Sequence, residues 1–199
     1  NKWSWLAEIK SIPDDKCISP KQINITIASR NNGSGHGIYI HIPRIKTPIP
    51  IFIVFRALGV ISDIDICKYI ILDIENEDMK RMLFALKAAI VEAQKYNTQE
   101  KALQYIVNQA MFTPINMSPE EGIAKKKEFT ENVLTNDLYP HCKTATQKLY
   151  FMGFMTNKLL QTSFGWRKID DRDSYKNKRI DLCGVLLNNL FRNYFNKLV

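Results

Sequence analysis

The sequence contains few of the residues that bind metals or form disulfide frameworks. It has four cysteines and three histidines among 199 residues. The cysteines lie far apart, at Cys17, Cys67, Cys142 and Cys183, and they form no Cys-x-x-Cys pair. Because the ligands of a structural zinc ion usually come in closely spaced pairs, we expect no zinc site. Free thiols persist in a reducing compartment, so the sequence predicts a location inside cells.

Long apolar runs are also absent. The longest, such as residues 49–55, are far shorter than the roughly 20 residues that a membrane-spanning helix needs, and no signal peptide opens the chain. A composition of 45% hydrophobic and 24% charged residues is typical of a globular protein. We expect one domain over residues 1–199 with no membrane contact. Because the chain starts at Asn1 and a helical pattern still runs at Val199, we also expect a piece excised from a larger protein.

Acidic residues are scarce in the last third of the chain. The net charge is +8, and residues 140–199 contain eleven Lys or Arg against four Asp. Positive charge concentrated in one part of a domain is typical of proteins that bind polyanions. The alternative is that these side chains simply solvate helix faces, and the composition alone does not decide between the two.

The apolar pattern of the first third indicates β structure. Isoleucine alternates with other residues at positions 23, 25 and 27 and again at positions 38, 40 and 42, as in half-buried strands. The turn-rich residues 31–35 between them predict an antiparallel hairpin. The glycine-rich run at residues 33–37 does not fit a dinucleotide loop, because a strand and not a helix follows it.

From Pro50 onward the apolar spacing becomes helical. Pro50 and Gly59 bracket a short hydrophobic helix, although a strand over residues 51–55 remains an alternative. Residues with N-cap chemistry precede the later helical patterns, namely Ser62, Asn76, Thr98, Ser118 and Thr144. The helix after Ser118 should run to about Thr135.

Other positions indicate how these helices pack. We expect Leu83 to face inward, Gly153 to allow close helix packing, and a terminal helix to carry an apolar face over residues 182–198. The sequence therefore predicts an α+β fold with a small antiparallel β-sheet near the N-terminus, within residues 1–48. The sheet packs with a mostly helical remainder, residues 49–199.

Two groups of carboxylates could in principle hold Mg²⁺: the aspartates at positions 63, 65 and 73, and those at 170, 171 and 173. Capping explains Asp63 and Asp65, because they stand at the start of a predicted helix. The second group alternates with cations that could neutralise it. The three histidines show no recognisable arrangement with a nucleophile, so we expect no catalytic residues.

Residues 170–182 carry the densest charge pattern, reading Asp-Asp-Arg-Asp-Ser-Tyr-Lys-Asn-Lys-Arg-Ile-Asp-Leu. This basic block, residues 170–181, resembles the Asp-Asp-Arg-Asp-His-Phe-Gly-Lys-Lys-Arg-Leu-Asp-Leu-Ala-Gly element of the second-largest, β-like subunit of eukaryotic-type multisubunit DNA-directed RNA polymerases. Lys176 replaces the family's glycine here, which makes a positive φ at this position unfavourable.

Two further segments resemble the same family in the same order. Residues 50–60 contain Phe-Arg-Ala-Leu-Gly, and residues 139–160 contain Tyr-Pro-His followed by Phe-Met-Gly-Phe-Met and Asn-Lys-Leu-Leu. The resemblance spans nearly the whole chain and is weakest before Ile38 and between Tyr96 and Phe129. In that subunit the interval is the lobe domain, one wall of the DNA cleft.

The resemblance implies a non-catalytic part of a transcription enzyme. The parent polymerase is a nucleotidyltransferase that uses two Mg²⁺ ions, held mainly by an aspartate-rich loop of the largest subunit, and that loop is absent here. We therefore expect no cofactor in this segment. The implied partners are other polymerase subunits, including the largest subunit, downstream duplex DNA and transcription initiation factors.

The resemblance also bears on origin and location. A cellular polymerase acts in the nucleus, whereas a viral one acts in the host cytoplasm and is found in the virion. The chain has 25 isoleucines against 7 valines, and 16 asparagines. This bias points to an AT-rich coding sequence, which fits a large DNA virus or an AT-rich unicellular eukaryote, and both stay open.

We predict that the basic block contacts nucleic acid through Arg172, Lys176, Lys178 and Arg179, which would bind phosphates without reading sequence. Alternatively, Arg172 and Arg179 pair with neighbouring aspartates and fix the entry to the last helix. We favour that reading for these two arginines, and regard Lys176 and Lys178 as the better candidates for DNA. A different function, a free-standing helical nucleic-acid-binding or scaffold module unrelated to polymerase, also remains to be weighed.

Overall fold

The first part of the chain forms one antiparallel sheet. A computed structural model describes residues 3–13, 20–114 and 118–198. These described residues contain four strands, which pair in chain order, each with its neighbour: β1 (Trp3–Ser11), β2 (Lys21–Asn31), β3 (His36–His41) and β4 (Ile49–Pro50). β1 was not among the strands predicted from the sequence. It lies at one edge of the sheet, where it pairs with β2.

The predicted hairpin is confirmed by β2 and β3. Ile25 pairs with Ile40 and Ile27 with Ile38, and all four side chains are buried. In the connecting turn, the Asn31 side-chain oxygen accepts hydrogen bonds from two glycine amides. β3 begins immediately after this turn, so the amides of the glycine-rich run belong to a hairpin and not to a helix start.

Within the described residues seven α-helices follow, and the predicted α+β class is confirmed. They are α1 (Ile51–Ala57), α2 (Asp63–Ile71), α3 (Glu77–Ala93), α4 (Gln99–Gln109), α5 (Pro119–Asn132), α6 (Ala145–Ser163) and α7 (Cys183–Leu198). A π-helical turn, Val133–Asp137, continues α5, and a short 3₁₀ helix, Tyr175–Asn177, lies between α6 and α7. Among the described residues, no helix is both long and apolar enough to cross a membrane.

Four of the five predicted N-caps make their capping bonds. Asn76 and Thr98 each accept a hydrogen bond from a backbone amide in the first turn of the helix that follows. Ser118 and Thr144 form complete capping boxes, with Glu121 and Gln147 respectively. Ser62 also precedes its helix, but in the described structure its hydroxyl makes no capping bond.

Gly59 ends α1 as predicted. Its φ is +106°, and its amide donates to the Arg56 carbonyl, while the Val60 amide donates to the Phe55 carbonyl. This pair of bonds is a Schellman motif, in which the residue after the C-cap takes a left-handed conformation that glycine adopts without strain.

The core lies between the sheet and the helices, with α1 at its centre. Residues Ile51–Ala57 are helical, which decides against the alternative of a strand over residues 51–55, and every residue of this helix is buried. α3 packs against β3, and α6 packs against β1 and β2, so the two longest helices cover the sheet. α6 also packs on α2, where a Cβ on Gly153 would lie 2.2 Å from the Tyr69 carbonyl oxygen. The predicted close packing at Gly153 is therefore confirmed.

Other expectations about the helices are corrected. Pro50 is the last residue of β4 and the N-cap of α1, so the first residue of α1 is Ile51 and not Pro50. α5 ends at Asn132 and not near Thr135, because the chain changes there to the π-helical turn. Leu83 is exposed. By contrast, α7 is the expected terminal helix with an apolar face, and this face is exposed, since none of the residues Cys183–Leu198, all of which the structure describes, is buried.

The free thiols differ in their surroundings. Cys67 and Cys142 are buried and Cys183 is exposed, while Cys17 lies outside the described residues. Burial, helped by the nearby Asp63 carboxylate, raises the pKa of the Cys67 thiol to about 11. Burial likewise raises the pKa of Cys142, partly offset by the neighbouring Lys148.

Candidate nucleic-acid interface

The basic block is an exposed turn whose own aspartate organises its backbone. α6 ends at Ser163, and Gly165 turns the chain with a φ of +75°. The Asp171 carbonyl then accepts from the Ser174 amide and, at 2.6 Å, from the Asn177 side chain. The Asp171 carboxylate accepts from the Asp173 amide at 2.9 Å. Asp171 therefore stabilises the turn and is not an uncommitted ligand.

The four predicted site residues lie within this one exposed turn, but their side chains are engaged differently. Lys178 pairs with Asp173 at 3.1 Å. Arg179 donates to the carbonyl oxygens of Lys176 and Lys178. Within the described chain, no ion pair links Arg172, Lys176 or Arg179 to a carboxylate. The expected pairing of Arg172 and Arg179 with aspartates is therefore not found, and the lysine Lys178 forms the pair instead.

The substitution of Lys176 for glycine has the predicted backbone consequence. Lys176 lies in the 3₁₀ helix Tyr175–Asn177, and it is not one of the described residues with a positive φ. Its neighbour Tyr175 is 94% exposed. The turn therefore directs a cation and an aromatic ring toward solvent at adjacent positions.

Two cations that the sequence reasoning did not select, Arg167 and Lys168, join the same surface. With Lys176 and Asp170 they line an open depression of about 430 Å³. Arg167 pairs with Asp170 at 3.1 Å. The sequence could have indicated these two cations, because the segment Trp166-Arg167-Lys168 lies just before the basic block.

The carboxylates considered for Mg²⁺ are largely engaged by cations. Asp63 accepts from Arg56 at 2.5 Å, and Asp65 pairs with Lys68 at 3.1 Å. Asp170 and Asp173 pair with Arg167 and Lys178, as described above. The described part of the chain contains no group of three or more His, Cys, Asp or Glu placed to hold a metal ion. Most of these carboxylates are therefore ion-pair partners and do not form an uncommitted set of Mg²⁺ ligands.

The first motif of the resemblance, Phe-Arg-Ala-Leu-Gly, has a structural role here. Arg56 is only 3% exposed and donates to the carbonyl oxygens of Ala93, the last residue of α3, and of Tyr96 just after it, as well as to Asp63 at the start of α2. One guanidinium thus joins three helices. Its planar fork of donors suits such a junction better than the point charge of a lysine would.

The Tyr-Pro-His motif joins the sheet to α6. The buried Tyr139 has a φ of +48°, and its ring meets that of Phe151 on α6 at a centroid distance of 4.9 Å. The His141 ring lies 4.5 Å from Phe151, and its Nδ1 lies 2.6 Å from the Ser11 hydroxyl at the end of β1. Burial raises the pKa of Tyr139 well above its ordinary value.

A buried lysine supports the π-helical turn before this motif. Lys148 on α6 donates from Nζ to the carbonyl oxygens of Leu134 and Thr135. Its pKa is lowered by burial, while Cys142 and Asp137 act in the opposite direction. Asp137, itself buried, pairs with Lys21 at 3.1 Å and with Arg44 at 3.4 Å. These contacts hold the turn between α5, α6 and the sheet.

Comparison with known proteins decides the family. The family described as RNA polymerase Rpb2, domain 2 matches residues 16–181. The chain belongs to that family. This membership excludes the alternative that the chain is a free-standing module unrelated to polymerase.

Relatives of this Rpb2 domain 2 chain extend the match to its full length. It is 34% identical to DNA-directed RNA polymerase II subunit 2 of Arabidopsis thaliana, over all of this chain and 17% of that protein. It is 35% identical to subunit RPB2 of Encephalitozoon cuniculi, over 96% of this chain and 16% of that protein. Subunit 2 of Acanthamoeba polyphaga mimivirus is 29% identical, over all of this chain and 18% of that protein. The chain thus spans about a sixth of the length of these three relatives.

Proposed function

We propose that this chain is the non-catalytic lobe of the second-largest subunit of a DNA-directed RNA polymerase, where it forms part of the DNA cleft wall and docks other subunits or initiation factors during transcription. Membership of the Rpb2 domain 2 family supports the parent enzyme. The catalytic Mg²⁺ would be held outside this segment, mainly by the largest subunit. The place of action is that of the parent, namely the nucleus for a cellular polymerase, or the host cytoplasm and virion for a viral one.

The contrast between buried and exposed motifs is the observation that supports a DNA contact. Packing explains the first two motifs, because Arg56, Tyr139 and the residues around them make buried contacts. The third motif, residues 170–181, contains no buried residue among its positions, all of which the structure describes. Packing within this chain therefore does not account for its charged side chains, whereas phosphates outside the chain would.

The geometry ranks the four proposed contacts. Arg172 and Lys176 are exposed and are not held by a carboxylate within the described chain, so they can reach phosphates without breaking an ion pair. Lys178 would first have to leave Asp173. Arg179 shapes the turn through its bonds to carbonyl oxygens and contributes positive potential. Such contacts position a duplex and carry no sequence information.

The test is the salt dependence of binding between the purified chain and short duplex DNA. Each phosphate neutralised adds about 0.9 to the magnitude of the log–log salt slope. We expect weak binding by the wild type, and a slope smaller by about two in the double variant Arg172→Ala/Lys176→Ala. Replacing Lys178 alone should reduce the slope by less, because its charge is already partly neutralised by Asp173.

The matched control is Lys125→Ala/Lys127→Ala, which removes the same charge from the exposed side of α5. If the control reduces the slope as much as the Arg172/Lys176 variant does, the effect is one of net charge and the assignment to the basic block fails. Absence of DNA binding at low salt would also reject the DNA contact and leave the lobe as a docking surface for proteins.

A further inference from the structure

α3 carries a cationic face outside the basic block. Lys80, Phe84, Lys87 and Val91 recur at spacings of four, three and four residues, which places them on one side of the helix, and Arg81 lies beside them. All five side chains are exposed. We call these five residues the α3 face. The opposite side of α3 contributes Met82, Leu86 and Ala89 to the core.

The cations of the α3 face are not neutralised within the described chain. No ion pair joins Lys80, Arg81 or Lys87 to a carboxylate there. Glu92, the acidic residue next to Val91, is turned away: its carboxylate accepts from the Asn32 side chain at 2.6 Å and from the Tyr39 hydroxyl at 2.8 Å. The α3 face therefore presents three cations that no ion pair within the described chain neutralises, although Glu77 at the start of α3 lies on the same side by helical spacing.

Phe84 distinguishes between the partners that such a surface could bind. Its side chain is 81% exposed at the middle of the cationic face, and Val91 on the same side is 40% exposed. A phosphate backbone would satisfy the lysines but would leave the phenyl ring in water. A protein segment that carries carboxylates around an apolar side chain would neutralise the lysines and bury the ring together.

We propose that the α3 face is a docking site for an acidic protein segment that inserts an apolar side chain against Phe84. This gives the docking role proposed above a location and a partner chemistry, and it rests on that role. It does not depend on the DNA contact of the basic block, which lies between α6 and α7 and is tested by different variants.

The length of the face sets the size of the probe. From Lys80 to Val91 the helix rises about 16 Å, at 1.5 Å per residue. An extended peptide covers this distance with roughly five residues and a helical one with roughly eleven. A synthetic peptide of roughly twelve residues is therefore long enough in either conformation.

The experiment measures fluorescence anisotropy of two labelled peptides titrated with the purified chain. One peptide consists of Asp and Glu around a central Leu and Trp, and the other has Ser at those two positions. We expect the Leu/Trp peptide to bind more tightly. Both Phe84→Ser and Lys80→Glu/Lys87→Glu should weaken its binding at least about fivefold, a factor equivalent to about 1 kcal/mol at 25 °C. Added salt should weaken binding to the wild type and have less effect on the double variant.

Controls on α5 match each change. Ile123→Ser removes an exposed apolar side chain, and Lys125→Glu/Lys127→Glu reverses two exposed charges. Both should leave the peptide affinity unchanged. Circular dichroism verifies that every variant keeps its helices, which is expected because the substituted side chains are exposed.

Three outcomes would overturn the proposal. The first is equal binding of the two peptides, or no binding by either. The second is loss of affinity in the α5 controls as large as in the α3 variants. The third is duplex DNA that binds the α3 face, with affinity lost in Lys80→Glu/Lys87→Glu but retained in Phe84→Ser, which would assign the face to nucleic acid. Failure here with the DNA salt slope intact would reject only this docking site.

Discussion

Single polar side chains in the interior decide how the helices of this domain meet. Arg56 binds carbonyl oxygens at and just after the end of α3 and the Asp63 carboxylate at the start of α2, and Lys148 binds carbonyl oxygens in the π-helical turn. The Asn157 side chain on α6 donates to the Ile70 carbonyl of α2 at 2.8 Å. Each satisfies backbone groups near a helix end that would otherwise be buried without partners. The family motifs therefore carry residues with a structural role.

At the scale of single residues, the buried Cys67 thiol should make the stability of the fold depend on pH. Its folded pKa, about 11, lies above the ordinary value of 9.0, so the buried thiol stabilises the fold fully below pH 9. This contribution is lost as the pH rises from 9 through 11, because the unfolded thiol ionises first. We expect the free energy of unfolding to fall by on the order of 1–2 kcal/mol more in wild type than in Cys67→Ala across this interval.

Urea unfolding at successive pH values measures this difference. Tyrosines and lysines also titrate above pH 10, and comparison with Cys67→Ala removes their share because both proteins contain them. Cys183→Ala serves as a second reference, since Cys183 is exposed. If the free energy of unfolding of wild type and of Cys67→Ala changed with pH in parallel, burial would not raise the pKa of this thiol.

At the scale of elements, local chemistry predicted where most helices begin and end. Asn76, Thr98, Ser118 and Thr144 were identified because a polar oxygen three residues or fewer before a helical pattern can satisfy free amides of the first turn. Gly59 was identified because it can take a positive φ. These signals need only neighbouring residues, so the sequence contains them in full.

Elements that depend on distant contacts could not be predicted in the same way. The π-helical turn replaces the end of α5 where Lys148, from another helix, takes up its carbonyl oxygens. In β1 the exposed Leu6 interrupts the alternation of buried apolar and exposed polar residues that would identify a strand. β4 has only two residues, too few to show a pattern. In the candidate interface, the sequence located the four cations together but not which of them binds Asp173, because several pairings are possible within so short a turn.

The contact between α2 and α6 gives a prediction for one glycine. A Cβ at Gly153 would lie 2.2 Å from the Tyr69 carbonyl oxygen, which is backbone and cannot rotate away. Gly153→Ala must therefore separate the two helices. We expect a loss of roughly 1–3 kcal/mol in the free energy of unfolding, the usual effect of overpacking a core. Chemical denaturation of the purified chain measures it.

Gly184→Ala is the matched control, because Gly184 is also in a helix and a Cβ there would meet nothing within 4 Å. It should be neutral or stabilise α7 by up to about 1 kcal/mol, since alanine favours the helix over glycine. If Gly153→Ala is as neutral or as stabilising as Gly184→Ala, the α2–α6 contact does not require glycine at position 153.

At the scale of the whole molecule, α7 contributes no residue to the buried core. The apolar residues of α7 recur with helical spacing, and Phe191 stacks on Phe195 at 5.8 Å, yet none of the residues Cys183–Leu198 is buried. The family match also stops at residue 181, before α7 begins. The sequence pattern correctly indicated an apolar helix face, but nothing in the described part of the chain covers it.

The absence of α7 from the core predicts that removing residues 183–199 leaves the rest of the fold intact. The truncated chain keeps every residue of the buried core, so its free energy of unfolding should stay within about 0.5 kcal/mol of the full chain, the range usual for changes at exposed positions. Because an exposed apolar face favours association, the truncated chain should also elute as a smaller species at high concentration. Urea unfolding followed by tryptophan fluorescence and size-exclusion chromatography measure the two effects. A loss of stability above about 2 kcal/mol would show instead that α7 packs against the domain in solution, because exposed residues do not contribute that much.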